Sequence, residues 1–397
     1  MLKNPIPELS RCTRCGSCKT LCPTYEQDLS EGMGARGRIV LVKGLVEGTL
    51  QPSPLLQERL FSCILCGACS GVCPLGIDIP EAVQHGRQLL RNSDRKRRIL
   101  RYLMKFSTTW PDLSFKILSM GQDLLLPFLA KRKIIPFRTE LPEQPFHVIE
   151  QVHKVPKKKG RVAVFIGCSV NFFLPHLGES LINVLQSLGY EVVLPKGEVC
   201  CGAPLQALGM EKEAVELARK NHHSLSKLKV DAVLSLCPTC TLSLKHNYVA
   251  LIGKGIEKAM DISVFLNDKL DQKSAISNSI VYHDPCHLKY GLGTWKEPRE
   301  IITKAGLNLM EPRESGCCGF GGTFSTSYRE MSQDLLQKQA NNLLDAGAGT
   351  IVTSCPGCML QLGQAITDRP VIHLIELIEE AYCLRSLYQE PVLAQTA

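Results

Sequence analysis

Nineteen cysteines in 397 residues, one in about every 21, constrain this chain more than any other feature. They fall in sets: 12, 15, 18 and 22; 63, 66, 69 and 73; then 168, 200, 201, 237 and 240; and 286, 317, 318, 355 and 358, with Cys383 alone. The opening MLKNPIPELSRCTRC carries no apolar leader segment, so disulfides are not the expected use. Metal or redox chemistry is the first reading. Composition narrows the rest. With 44% apolar and 21% charged residues the chain is neither disordered nor low-complexity. Its length suggests two or three domains. No stretch reaches the roughly 20 apolar residues of a bilayer span. A formal charge of +8 favours acidic partners or an anionic surface without requiring nucleic acid.

The pattern C-x2-C-x2-C-x3-C-P occurs twice, as CTRCGSCKTLCP and CILCGACSGVCP. Three thiolates from a tight loop and a fourth from elsewhere suit the corners of an Fe4S4 cube, and in two-cluster ferredoxins the fourth Cys of each run ligates the other cluster. That rule assigns Cys12, Cys15, Cys18 and Cys73 to one cluster and Cys63, Cys66, Cys69 and Cys22 to the second. Gly16 and Gly67 let the backbone approach the sulfides, and Pro23 and Pro74 turn the chain after the crossing ligand. Zinc is the rival, but its sites pair two short Cys units and need no third Cys or Cys-Pro. RIVLVKGLVEG and PLLQERLFS read as helices between the two runs and EAVQHGRQLL as one after them, which gives an α-helical ferredoxin-type domain over 1–90.

The second half repeats itself. Cys168 and Cys286, Cys237 and Cys355, and Cys240 and Cys358 are each 118 apart, and the paired cysteines 117 apart, as expected of an internal duplication. Each copy opens with an apolar strand (RVAVFIGC, SIVYHDPC), then a helix near Leu177–Leu188 or Pro298–Ala305. A short strand precedes Cys-Cys-Gly, a long helix follows over Glu211–Leu225 or Tyr328–Leu344, and DAVLSLCPTC or GTIVTSCPGC closes the unit. Alternation at this length predicts two tandem α/β cysteine-rich units, 160–270 and 278–390, with mostly parallel strands. Open sheets of this kind place ligands at the carboxyl ends of their strands, where these cysteines fall. Between the halves, 91–159 reads as a basic and amphipathic helical linker.

Each unit offers five thiols: Cys168, Cys200, Cys201, Cys237 and Cys240, then Cys286, Cys317, Cys318, Cys355 and Cys358. Five is one more than a cube or a zinc ion requires, and adjacent cysteines fit two corners of a regular cube poorly. Such thiols can instead bridge or cap irons in one or two further clusters of an open, non-cubane kind, each added thiolate lowering the potential. Gly202 and Gly319 supply a tight turn that faces both sulfurs to one site. Zinc or a thiol–disulfide pair in each CxxC is the alternative.

These Cys-Cys-Gly units resemble the cysteine-rich domains of heterodisulfide reductase. With two ferredoxin runs ahead of them, nearly the whole chain resembles the iron–sulfur subunits of the glycolate oxidase family. The likeness extends to CPTY at 22–25, GARGRIVLVKGLVEG at 34–48, GCSVN at 167–171, HDPCHL at 283–288 and GCCGFGG at 316–322. Similar subunits serve lactate and anaerobic glycerol-3-phosphate dehydrogenases. The resemblance implies an electron-transfer subunit with no catalytic residue for the substrate. FAD would lie only on a partner oxidase subunit that turns glycolate into glyoxylate, and electrons would leave toward a quinone or another membrane acceptor. The sequence agrees, since GCCGFGG lacks dinucleotide-fingerprint spacing and no other flavin or nicotinamide signature is present. The expected place is the cytoplasm, at the inner face of the membrane. A reductase cleaving a disulfide at the non-cubane clusters is the alternative, and a zinc-stapled nucleic-acid-binding protein a third.

Lesser signals have plainer readings beside them. Arg91–Lys105 carries seven cations among Ile99, Leu100, Leu103 and Met104, which suits peripheral membrane contact, a partner, or simple packing. His283 and His287 flank Cys286 and either tune a cluster or cap the loop. Arg36 and Arg38 offset cluster charge, meet a partner or pack. Lys157–Lys159 solvates a linker, and Cys383 reads as a buried apolar residue.

Overall fold

The structure is a computed structural model that describes residues 6–122, 141–146, 151–270 and 278–382; Cys383 lies outside them. Three longer helices build the N-terminal part: α1 (Ala35–Val46), α2 (Pro54–Phe61) and α3 (Ile79–Leu90). Their starts follow from local chemistry. The Ser53 hydroxyl accepts from the Leu56 amide (3.2 Å) ahead of Pro54, and Asp78 accepts from the Glu81 amide (2.9 Å) ahead of Pro80. Their apolar faces close on Val42, Leu60, Ile77, Val83 and Leu90, all buried.

Two helices then form a hairpin, α4 (Arg98–Thr109) and α5 (Pro111–Met120), broken where Pro111 follows Trp110. The basic stretch divides here. Leu100 and Met104 pack against the first repeat, and Arg97 and Arg101 are buried around Asp94, so these four are not surface groups. Ile99 and Leu103 face outward.

The first repeat is a five-stranded sheet in the order β1-β3-β2-β4-β5, with β1 (Gln151–His153), β2 (Gly160–Val164), β3 (Tyr190–Leu194), β4 (Ala232–Ser235) and β5 (Ala259–Asp261). All its pairs are parallel except β1 with β3, where Gln151 sits opposite Leu194. The sheet thus takes an edge strand from the stretch that the sequence presents as linker. The second is fully parallel, β7-β6-β8-β9, from β6 (Ser279–His283), β7 (Asn308–Met310), β8 (Thr350–Thr353) and β9 (Val371–His373). β5 and β9, three residues each, are too short for the alternation to reveal.

Helices cover both faces. α6 (Pro175–Ser187) lies on the first sheet, and on the second lies α8 (Glu297–Lys304), which follows α7 (Glu211–Leu225) of the first unit's outer face. The outer face of the second unit carries α9 (Arg329–Leu344), and α10 (Leu374–Ala381) closes its inner face. α6 and α10 pack on each other, with Asn183 donating to Glu379 at 2.8 Å. One core therefore runs through both repeats, from Val162 and Leu181 to Tyr282, Ile302 and Ile378. The helical domain sits across both units: Arg87 donates to the Ala207 carbonyl at 2.9 Å, and the Tyr328 hydroxyl to the Glu58 carbonyl at 3.2 Å.

Candidate metal centre

The fold puts the repeat cysteines where parallel strands end and helices begin. β4 runs into Cys237 and β8 into Cys355, and each Cys precedes a helix that starts on proline, Pro238–Leu242 and Pro356–Leu362. Proline at the first helical position fixes the turn, so Cys240 and Cys358 stand three residues on, on the same side as the strand-end cysteine. The paired cysteines arrive from the other direction. Gly202 and Gly319 adopt φ of 88° and 79°, and a Cβ at Gly319 would lie 2.4 Å from the Ser332 carbonyl oxygen, so only glycine holds this turn.

In the first unit Cys200 lies beside Cys168 and Cys201, Cys201 beside Cys240, and Cys240 beside Cys237. In the second, Cys318 Sγ is 3.3 Å from Cys358 Sγ, and Cys286 lies within electrostatic reach of Cys317, Cys318 and Cys355. The eighteen cysteines of the described residues are all free thiols. All five of each unit thus converge.

The two units also meet each other, which the duplication alone does not reveal. Cys237 of the first lies beside Cys355 of the second, each shifting the other's ionisation. One cavity of about 460 Å³ is lined by cysteines of both, and by Cys66 of the ferredoxin runs.

The ferredoxin runs come together crosswise. Cys18 feels the charges of Cys12, Cys15 and Cys73; Cys69 feels those of Cys66, Cys63 and Cys22. The groups are neighbours too, since Cys69 lies within reach of Cys18, and Cys66 of Cys317. From Cys168 to Cys15 the thiols form a series of neighbouring groups, buried or half-buried along its length and exposed at Cys15.

Ionisation of so many thiols in one place is opposed. Burial, then Cys12, pushes the Cys18 thiol up to about 11, and burial, then Cys318, pushes Cys317 up to about 12. Burial also raises Cys66, Cys69 and Cys286. Within the tight pairs one thiol is held down by its neighbour: Cys318 by Cys358, ahead of His283, and Cys237 by Cys240. Only a cation shared among them lets all these sulfurs be thiolates together. The surroundings fit iron and sulfide. Amides of Leu65 and Gly319 point at Cys63 and Cys317 sulfur (3.4 Å each), and a Cβ at Gly167 would stand 2.9 Å from Cys240 Sγ.

The two histidines beside Cys286 differ. His287 is a brace: its Nε2 lies 3.1 Å from the Leu65 carbonyl, so that nitrogen donates, and its Nδ1, 2.8 Å away, accepts from the Thr239 hydroxyl. It ties a ferredoxin loop to the CPTC loop of the first unit. His283, buried, meets Gln339 at 3.2 Å and lies with Cys318 and Cys358 inside a 4.8 Å group. Arg36 is partly exposed and paired with Glu31 at 2.6 Å, whereas Arg38 is buried beside Cys22, its Nη1 4.0 Å from the sulfur. Lys157, Lys158 and Lys159 are exposed.

Several site residues carry no signal of their own in the sequence analysis. Asn221 binds the Val199 amide and the carbonyls of Val199 and Cys200, holding the first Cys-Cys turn. Gln339 is its counterpart in the second unit, and the two stand 118 apart, the offset of the cysteines. Glu198, which accepts from the Ile166 and Gly167 amides (3.1 and 2.7 Å), has Ser315 at the matching place and no repeat signal.

This combination, a helical dicluster domain set across two cysteine-rich α/β units, defines an iron–sulfur subunit of oxidoreductase complexes. Residues 8–77 match the 4Fe-4S dicluster domain family, and residues 162–245 and 280–363 the cysteine-rich domain family. Among relatives, a fumarate reductase (CoM/CoB) subunit from Methanothermobacter marburgensis is 28% identical over 94% of this chain and 73% of its own. The glycolate oxidase iron–sulfur subunit of Escherichia coli is 27% identical over 94% of each chain. A dihydromethanophenazine:CoB–CoM heterodisulfide reductase subunit from Methanosarcina barkeri is 26% identical over 95% of this chain and 94% of its own. A crystal structure of a hypothetical protein from Helicobacter pylori shares the fold over 97% of this chain and 75% of that one, with a TM-score of 0.51 at 10% identity. The chain belongs with the iron–sulfur subunits related to glycolate oxidase and heterodisulfide reductase.

Proposed function

We propose that this chain is the electron-transfer subunit of a flavin-dependent 2-hydroxy-acid dehydrogenase acting on glycolate, with FAD and the substrate on a partner subunit. The observation that carries this reading is the run of neighbouring thiol groups from the shared cavity of the repeats, through Cys66 near Cys317 and Cys69 near Cys18, to the exposed Cys15. Cys12, Cys15, Cys18 and Cys73 would hold one cubane cluster, and Cys63, Cys66, Cys69 and Cys22 the other. Cys168, Cys200, Cys201, Cys237 and Cys240 would hold one non-cubane cluster, and Cys286, Cys317, Cys318, Cys355 and Cys358 a second. Iron–sulfur clusters, when bound, supply one-electron redox capacity. The chain's own groups do the rest: thiols fix the order of the sites, His287 braces three loops, and the buried walls keep water away. The glycolate oxidase iron–sulfur subunits of Escherichia coli and Bacillus subtilis, similar along 94% of this chain, support the choice of substrate.

Electrons would leave toward a quinone or another membrane acceptor, with the α4–α5 hairpin against the membrane surface. Among the described residues, eight of the seventeen exposed large apolar side chains lie on it: Ile99, Tyr102, Leu103, Phe106, Trp110, Leu113, Ile117 and Met120. Exposed Arg95, Lys96, Arg98, Lys105 and Lys116 flank them, a composition that suits an anionic interface. No helix of the described residues is long and apolar enough to cross a membrane.

The test is co-purification under anaerobic conditions, then assay of the complex with glycolate, lactate and glycerol 3-phosphate. Glycolate should reduce the clusters only when a flavoprotein accompanies the chain. Turnover of a disulfide by this chain alone, with its cubanes reduced, would select the heterodisulfide-type reading that the shared cavity also favours.

A further inference from the structure

Four guanidinium groups are buried, each no more than 7% exposed: Arg38 inside the helical domain, and Arg87, Arg97 and Arg101 where that domain meets the repeats. Arg87, Arg97 and Arg101 stack on Phe61, with distances of 5.2, 4.3 and 5.7 Å to its centroid. One fully buried carboxylate serves the set. Asp94 accepts from Arg101 at 2.6 Å and from Arg97 at 3.3 Å, while the partly exposed Glu58 stands 4.0 Å from Arg97.

Arg38 and Arg87 have no carboxylate partner among the described residues. The first donates to the Arg59 carbonyl and the Thr24 and Ser62 hydroxyls (2.8, 2.8 and 3.0 Å). The second donates to the carbonyls of Leu60, Phe61, Cys63 and Ala207. Neutral acceptors satisfy the hydrogen bonds but leave the charges standing, and the two cations are within each other's field. Buried, unpaired like charges strongly destabilise a fold unless an anion lies close. The anions at hand are the sulfurs of Cys22, 4.0 Å from Arg38 Nη1, and Cys63, within the field of Arg87. Around the other ferredoxin group, by contrast, Lys19 and Arg36 both pair with Glu31 at the surface.

We propose that Arg38 and Arg87 are the charge-compensating cations of the site formed by Cys22, Cys63, Cys66 and Cys69, and that they raise its midpoint potential. The proposal rests on the iron–sulfur reading of that site. A cube held by four thiolates is a net anion that gains one more negative charge on reduction, so a fixed buried cation favours the reduced form. Both arginines are positioning residues, not ligands.

The test is an EPR-monitored redox titration of the cluster-loaded full chain, wild type against Arg38→Gln, Arg87→Gln and Arg38→Lys, with iron measured in each. The neutral variants should lower the reduced-to-oxidised ratio of this one cubane at least tenfold at fixed potential, about 59 mV for a one-electron couple. The lysine variant should stay within about threefold of wild type. The other cubane should not move. Glutamine variants that keep their iron and titrate like wild type would overturn the proposal. If they do not fold, wild type labelled with 15N-arginine decides: pulsed EPR should detect a guanidinium nitrogen weakly coupled to one reduced cubane, and its absence from both would overturn the proposal equally. A wild-type chain with no iron at these four cysteines would sink the underlying reading instead.

Discussion

At the scale of single residues the crossing cysteines and the buried acids carry the most information. Cys22 stands in the first ferredoxin run, yet its sulfur lies within reach of Cys66 and Cys69 of the second. Cys22→Ser should therefore remove or distort the cluster of Cys63, Cys66 and Cys69 and spare the one at Cys12, Cys15 and Cys18. EPR of the reduced variant reads this directly, and loss of the other signal would contradict the crossed arrangement. Asp261, at the end of β5, uses Oδ1 to accept from the Ser263 amide and hydroxyl (3.0 and 2.6 Å), while its buried Oδ2 has no partner. Burial outweighs those bonds and pushes its carboxyl up to about 7. The unfolded group titrates near 3.9. Between those values the folded chain holds the extra proton, so stability falls as pH rises from about 4 to 7, by up to about 1.4 kcal/mol per pH unit. Asp261→Asn should flatten that slope and be the more stable form at pH 8 in urea unfolding. An unchanged slope would mean that Asp261 titrates normally in the folded state.

Elements decide which cysteines can meet, and here the sequence is partly legible. The three helices around the ferredoxin runs, β2, β4, β6 and β8, and the long α7 and α9 follow from apolar period, length and capping residues. So does the Cys-Cys-Gly turn. Gly319→Ala should cost about 1–3 kcal/mol, because the added Cβ meets the Ser332 carbonyl at a left-handed backbone position. Denaturant unfolding measures it, and a neutral result would mean the turn relaxes freely. Edge strands β1, β5 and β9 escape the pattern, since three residues pair through backbone bonds that no side-chain alternation advertises. In the sequence the cations around α4 suit a surface and a packing helix alike, and in the fold Arg101 and Arg97 turn inward because Asp94 awaits them. What remains outside should bind anionic vesicles at low salt, and Leu103→Glu with Ile117→Glu should abolish co-sedimentation. A wild-type chain that stays in the supernatant refutes the membrane contact.

For the whole molecule the decisive feature is the meeting of sites that are far apart in sequence. Spacing identifies each set of thiols but not that Cys237 touches Cys355 or that Cys66 lies near Cys317, because relative placement of domains is written in interfaces and not in periodicities. Those interfaces are built from groups such as Arg87 on Ala207 and His287 on Leu65, which read as ordinary polar residues until the fold is known. The account stands on iron occupying these sulfurs. Iron and acid-labile sulfide per chain, measured on anaerobically isolated protein, test it most directly: it predicts about sixteen of each, four per cluster in four sites. About eight would confine the metal to the ferredoxin-type pair and refute the clusters of the repeats. A colourless chain holding zinc and no iron would contradict the account entirely.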